Sequence, residues 1–350
     1  MKLAKAYAAM DSLSPLVPFA VSRRDLRPDD VLIRILYCGV CHSDLHQVRS
    51  DWGASLYPMV PGHEIVGVVE AVGSQVDRFR KDDKVGVGCL VDSCRECSSC
   101  KDKLEQYCSS WVGTYNAVER DGKTPTFGGY STHIVVDQNF VLRLDKSMPL
   151  DRTAPLLCAG ITTYSPLKHW GTGPNSRVGV VGLGGLGHMA VRLARSFGAE
   201  VTVFTSQSSK IADAKRLGAQ NVFVTRGQAD WSVVASSQDL ILDTVSAAHD
   251  LMPYIQSLRR DGTLVMLGLP NQPPVIHPFP LVLQRRRIAG SLIGGLAETQ
   301  EMLDHCARHG VYSDVEVLPI SQVNTAFERL EKADVKYRFV LDLAELHAKL

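Results

Sequence analysis

The 350-residue chain has no surplus of charge of either sign: 38 Lys and Arg stand against 37 Asp and Glu, a net of +1. That balance argues against nucleic acid or an anionic membrane surface as a partner. Long hydrophobic runs are missing too. No apolar stretch approaches the ~18 residues a membrane span requires. The opening segment, MKLAKAYAAMDSLSPLVP, lacks the apolar centre of a secretion signal, so a cytoplasmic location is expected. Internal repeats, low-complexity tracts and long charge runs are also absent. With 45% hydrophobic and 21% charged residues, the chain reads as an ordinary globular protein of two domains.

Cysteine is not scarce. Nine are present, and the sequence CRECSSCKDKLEQYC places Cys94, Cys97, Cys100 and Cys108 in a C-x2-C-x2-C-x7-C pattern. Two-residue gaps let thiolates converge on one centre about 2.3 Å from each sulfur, which describes a closed, structural tetrahedral zinc site. An iron–sulfur cluster fits less well, because the Cys-Pro that trails ferredoxin runs is missing.

Residues up to about 150 carry short β-like runs broken by Gly and Pro, such as DVLIRILYCGVC and EIVGVVEAVG. From Arg177, β-runs alternate with helix-length segments: RVGVVGL, VTVFT, NVFVT, DLILDTV and GTLVMLGL. This is the pattern of a doubly wound parallel sheet, and the fold class is α/β. From about Leu292 the texture changes to helix, strand, helix, strand, a tail expected to complete the first domain. The basic patch QRRRIAG reads as a solvated loop.

Three distant pieces hold further metal ligands: Cys41 in YCGVCHSDLH, His63 with Glu64 in VPGHEIVGVVEAVG, and Cys158 in APLLCAGITTY. Singly, each reads as a core residue. Jointly they make a three-ligand zinc with an open fourth position, able to polarise a carbonyl or stabilise an alkoxide. Ser43 is placed to hydrogen-bond an oxygen at that metal. His46 is either a proton relay to solvent or an exposed helical histidine. His42 is a surface residue or a partner for a cofactor phosphate. Asp44 orients a zinc ligand or caps a turn.

Gly182-x-Gly184-x-x-Gly187 follows a strand and opens a helix, the context in which this motif holds a dinucleotide pyrophosphate. The loop comprises Gly182, Leu183, Gly184, Gly185, Leu186 and Gly187. An acid is missing where NAD-binding proteins read the ribose. The chain offers Thr205, Ser206 and then Lys210, which suit a 2′-phosphate. The cofactor expected is NADP(H).

CGVCHSDLH, GHEIVGVVEAVGSQV, LEQYC, GTYN, PLLCAGITTYSPL, GLGGLGHMAV and KYRFV are colinear. With them the chain resembles the zinc-dependent medium-chain alcohol dehydrogenases over essentially its whole length. It is most similar to the cinnamyl-alcohol-dehydrogenase branch and, within it, the bacterial NADP-dependent, broad-specificity aldehyde reductases. The resemblance implies a GroES-like catalytic domain (residues 1–156 and 293–350) and a Rossmann domain (157–292), with the active site in the cleft. It implies two zincs per chain: a catalytic one on Cys41, His63 and Cys158, with Glu64 as neighbouring or alternate ligand, and a structural one on the knuckle. It makes Ser43 and His46 a proton relay and puts Thr162 at the nicotinamide. Thr205, Ser206 and Lys210 fall at the 2′-phosphate. Thr244, Gly268, Ser291, Leu292 and Ile293 match further cofactor contacts, and Arg338 matches a pyrophosphate contact. A homodimer and an aldehyde or primary-alcohol substrate follow. One departure stands out: where plant cinnamyl enzymes carry a Trp five residues after the last knuckle cysteine, this chain has Gly113, with Trp111 nearby. That suggests a roomier pocket. The rival readings are an NAD-dependent polyol dehydrogenase and a non-enzymatic NADPH-binding protein.

Overall fold

The apolar run DVLIRILYCGV forms the long strand Asp30–Val40, buried along most of its length because neighbours cover it on both sides. It pairs antiparallel with Ile65–Val72, His133–Asp137 and Arg338–Asp342. It thereby stands at the centre of a seven-stranded sheet that runs from Val315–Pro319 to Leu142–Arg143. The partner Arg338–Asp342 comes from the far end of the chain, with Phe339 opposite Val40. The structure, a computed structural model, describes residues 2–348. It divides into two compact units: one takes the chain up to Cys158 and again from Gly294, and the other is Ala159–Ile293.

The second unit is a six-stranded parallel sheet. Its strands lie in the order Asn221–Val224, Glu200–Thr205, Arg177–Val181, Gln238–Asp243, Leu258–Met266 and Arg287–Gly290. The chain winds outward from Arg177–Val181 in one direction and then in the other, which is the doubly wound Rossmann-type arrangement. Apolar strands fit such a sheet because helices cover both faces. On one side Phe204 stacks on Trp231 (ring centroids 6.0 Å apart, 9° between planes) and meets Tyr254 edge-on.

The QRRRIAG patch is solvated at Arg285 and Arg287, as expected, but it is not a loop throughout. Arg287 opens the sixth strand. Arg286 donates to the carbonyls of Leu258 (2.7 Å) and Gln256 (3.1 Å), and Arg285 pairs with Asp261. A four-residue edge strand, Arg287–Gly290, that follows directly on two further arginines carries little β signal, so its sequence looked like loop. Among the described residues, no helix is long and apolar enough to cross a membrane.

Candidate metal centres and nucleotide site

The knuckle hangs between the paired strands Leu90–Asp92 and Val112–Gly113 and includes the short turn Glu105–Tyr107. One ligand atom from each of Cys94, Cys97, Cys100 and Cys108 lies within 4.8 Å of the others. The Cys94 and Cys100 sulfurs are 3.8 Å apart, against the ~3.8 Å that a tetrahedron with 2.3 Å zinc–sulfur bonds imposes. Backbone N–H groups point at the sulfurs: Cys97 N to Cys94 Sγ at 3.3 Å, and Ser110 N to Cys108 Sγ at 3.4 Å. Donors placed this way favour thiolate, and the turns follow the motif spacing. Glu105 ties the knuckle to the helix Leu296–His309 by accepting from Leu296 N (3.0 Å).

The second group is assembled from three segments. Cys41 ends the central strand and caps the helix His42–Val48. His63 and Glu64 sit in the extended segment ahead of Ile65–Val72, and Cys158 closes the turn Ala154–Leu157. Their ligand atoms lie within 4.8 Å of one another, and all four residues are buried. The Cys41 and Cys158 sulfurs are 3.9 Å apart across 117 residues of sequence. The donor set fits a divalent ion: two sulfurs at tetrahedral spacing, an imidazole, and a carboxylate whose Oε2 is buried with no hydrogen-bond partner.

Electrostatics point the same way. Hydrogen bonding from Cys158 holds the Cys41 thiol well below its usual range, while the Cys158 thiol is pushed up by the same pairing. Two sulfurs sharing one proton are a site that a cation can complete by displacing that proton. Burial pushes the Glu64 carboxyl up to about 7, against the pull of the Arg338 guanidinium that it pairs with. Arg338 is itself buried, on the last strand of the sheet. The residue expected at a pyrophosphate thus has a carboxylate partner within the metal-ligand group.

Asp44 faces the group from the helix. It is wholly buried and accepts from Cys41 N (2.9 Å), Gly62 N (3.0 Å), His63 Nδ1 (3.1 Å) and the Tyr130 hydroxyl (3.2 Å). With Nδ1–H given to Asp44, His63 keeps Nε2 as its ligand nitrogen. Ser43 Oγ lies 3.6 Å from Cys41 Sγ. His46 hydrogen-bonds Asp51 through Nδ1 (2.8 Å) and lies against Trp52. His42 is exposed on the same helix.

Cys89 was not singled out in the sequence, yet it lies beside Cys158, whose hydrogen bond lowers the Cys89 thiol pKa. Its sulfur also reaches the Leu157 carbonyl (3.8 Å). The only signal was a fifth cysteine just ahead of the knuckle, and one Cys outside a motif is usually packing.

In the second unit the glycines divide the work. Gly182 turns with φ of +87°, and a Cβ on Gly187 would stand 2.2 Å from the Gly182 carbonyl. A Cβ on Gly184 would meet nothing within 4 Å, so that position faces open space at the start of the helix Gly185–Ser196. Such a cradle fits a pyrophosphate. Lys210 reaches back to the same turn, its Nζ 3.0 Å from the Leu183 carbonyl. Thr205 is buried and its Oγ1 accepts from Gln207 N (3.2 Å), while Ser206 is exposed. Thr244 Oγ1 donates to the Val181 carbonyl (2.7 Å), and Gly268 packs where a Cβ would strike the Val245 carbonyl. Thr162 is buried on the helix Ala159–His169, and Ser291, Leu292 and Ile293 follow the sixth strand.

Residues 27–146 match the alcohol dehydrogenase GroES-like domain, and residues 185–308 match the zinc-binding dehydrogenase family. The chain belongs to the zinc-binding alcohol dehydrogenases, GroES-like and Rossmann-type units included. It is 53% identical over 350 residues to NADP-dependent alcohol dehydrogenase C 1 of Mycolicibacterium smegmatis, covering 99% of this chain and 100% of that one. It is 52% identical over 342 residues to the aldehyde reductase YahK of Escherichia coli, covering 97% of each. Among solved structures it resembles the cinnamyl alcohol dehydrogenase SbCAD4 of Sorghum bicolor, with a TM-score of 0.95 and 46% identity over 98% of each chain.

Proposed function

We propose that this chain is a zinc-dependent, NADP(H)-linked alcohol dehydrogenase that serves as an aldehyde reductase of broad range for aldehydes and primary alcohols. One observation carries the reading: Cys41, His63, Glu64 and Cys158 converge within 4.8 Å in a buried set that does not supply four thiolates. With Glu64 engaged by Arg338, Cys41, His63 and Cys158 supply three ligands and leave a fourth position for a substrate oxygen. The knuckle then holds a second, structural zinc. When bound, zinc supplies Lewis-acid polarisation of the carbonyl and NADPH supplies the hydride.

The chain's own residues do the rest. Ser43 Oγ, beside Cys41, gives the substrate oxygen the proton it takes in reduction, and His46, oriented by Asp51, resupplies Ser43 with a proton from solvent. Lys210 and the hydroxyls of Thr205 and Ser206 bind the 2′-phosphate, and Gly184 leaves room for the pyrophosphate. The NADP-linked names of the relatives at 52–53% identity support this cofactor. In this reading residues 1–156 with 293–350 carry both zincs, residues 157–292 carry the cofactor, and the protein works as a cytoplasmic homodimer.

The test is a metal count with an aldehyde panel assayed against NADPH and NADH. Two zincs per chain and NADPH-linked reduction are expected. One zinc, or no turnover on any aldehyde, would overturn the reading.

A further inference from the structure

The glycine of the GHE segment is present for a reason that bears on the metal group. Gly128, Gly129 and Tyr130 run beside Val60, Pro61 and Gly62, joined by Gly128 N to the Val60 carbonyl (2.7 Å), Gly129 N to the Gly62 carbonyl (2.8 Å) and Tyr130 N to the Pro61 carbonyl (3.0 Å). This register lays the Tyr130 ring across Gly62, where a Cβ would stand 2.7 Å from Tyr130 Cδ1. Gly62 also has φ of +103°, a conformation that side chains resist. The tyrosine ring therefore fills the place of the missing side chain, and its far side packs edge-on to Phe327 (ring centroids 6.3 Å apart). Held this way, and wholly buried, Tyr130 delivers its hydroxyl to Asp44.

Asp44 has room for about four hydrogen bonds, two per oxygen. Gly62 N and His63 Nδ1 take Oδ1, while Cys41 N and Tyr130 take Oδ2. Three of these donors belong to the segments that bear Cys41 and His63, so the carboxylate bolts those segments together. Tyr130 comes from a third segment and anchors the bolt to the sheet side of the unit. A second buried phenol, Tyr115, feels the charge of the same carboxylate and stacks on His63 with 25° between rings.

We propose that Tyr130, assisted by Tyr115, is a positioning residue. By holding the Asp44 carboxylate it sets the ring orientation of His63 and so controls how firmly the Cys41–His63–Cys158 group retains its metal. The inference rests on reading that group as a zinc site. Without the Tyr130 hydroxyl, one lone pair of a fully buried carboxylate loses its partner, and the carboxylate is free to turn away from His63. Removing partners of metal-bound histidines commonly costs 10–100-fold in metal affinity. Tyr130 acts one bond further out, so about tenfold is expected.

The experiment follows zinc release from the purified full chain to a chromogenic chelator, with Y130F and Y115F beside the native protein. Native protein should release two zincs in two phases, the knuckle identified by its loss in Cys100→Ser. Y130F should accelerate the other phase about tenfold and leave the knuckle phase unchanged, with Y115F shifting it in the same direction by less. The visible absorption of cobalt-substituted Y130F should also shift from that of native protein. If the native chain holds only the knuckle zinc, the reading of the site fails. If both zincs are present and Y130F releases them at native rates, or speeds both phases alike, the role of Tyr130 is overturned. Y115F provides the independent variant should Y130F not fold.

Discussion

In the proposed reading the choice of cofactor comes down to Ser206, one side chain at the end of the strand Glu200–Thr205. Ser206 is exposed, and Lys210 stands close enough to the glycine turn to bond the Leu183 carbonyl. A carboxylate at Ser206 would repel a 2′-phosphate and accept from a ribose hydroxyl. Ser206→Asp should therefore lower kcat/KM for NADPH at least tenfold relative to NADH, the value of about one charge-assisted hydrogen bond. Steady-state rates with both cofactors check it, and an unchanged ratio would count against the 2′-phosphate site. Cys41→Ser removes one of two sulfurs 3.9 Å apart. It should abolish aldehyde reduction and leave one zinc per chain, while NADPH titrated by fluorescence binds as in native protein.

Among the elements, the glycine turn and the knuckle separate fold from function. A Cβ on Gly187 would overlap the Gly182 carbonyl, whereas one on Gly184 would meet nothing. Gly187→Ala should destabilise the second unit by about 1–3 kcal/mol. Gly184→Ala should leave Tm unchanged and raise KM for NADPH, because its methyl fills only ligand space. Equal Tm loss in both variants, measured by thermal unfolding, would refute that division. Cys100→Ser should release the knuckle zinc and lower Tm by on the order of 5–10 °C, since the metal staples a loop that buries little else.

For the whole molecule, acid sensitivity follows from a buried histidine that belongs to neither metal group. His133 gives Nε2–H to Glu70 (2.9 Å) and accepts from Thr132 Oγ1 (2.9 Å), which satisfies the neutral ring. Burial, with help from the Lys2 ammonium, lowers its pKa to about 4 from an ordinary 6.5. Below pH 6.5 the unfolded chain takes up a proton that the folded chain refuses until about pH 4. Stability therefore falls as pH drops through that window. Urea midpoints at pH 7 and pH 5 should show a smaller loss for His133→Gln than for native protein; equal losses would remove His133 as the cause. Association is a second property at this scale. Phe279, Val282 and Leu283 are 68, 76 and 61% exposed on a short helix ahead of the edge strand Arg287–Gly290. A patch of this kind usually marks an interface. Val282→Glu should convert the proposed homodimer to monomer in light scattering.

Sequence alone determined whatever depends on short spacing. The C-x2-C-x2-C-x7-C knuckle closes locally, so the convergence of its four cysteines was readable before any fold was known. The glycine turn was readable too, because strand, turn and helix are consecutive. The parallel sheet showed itself in the alternation of apolar runs and amphipathic segments. Only the tertiary structure decided what depends on long-range register. That Cys41 and Cys158 come within 3.9 Å across 117 residues is set by how the central strand and the turn Ala154–Leu157 pack. Arg338 bonds Glu64 because the last strand returns to pair with the central strand Asp30–Val40. The QRRRIAG strand was hidden because its pairing with Leu258–Met266, not its composition, makes it β. Tyr130 escaped notice for the same reason: a tyrosine in GGYSTH carries no spacing signal, and its function exists only where backbone register lays it across Gly62.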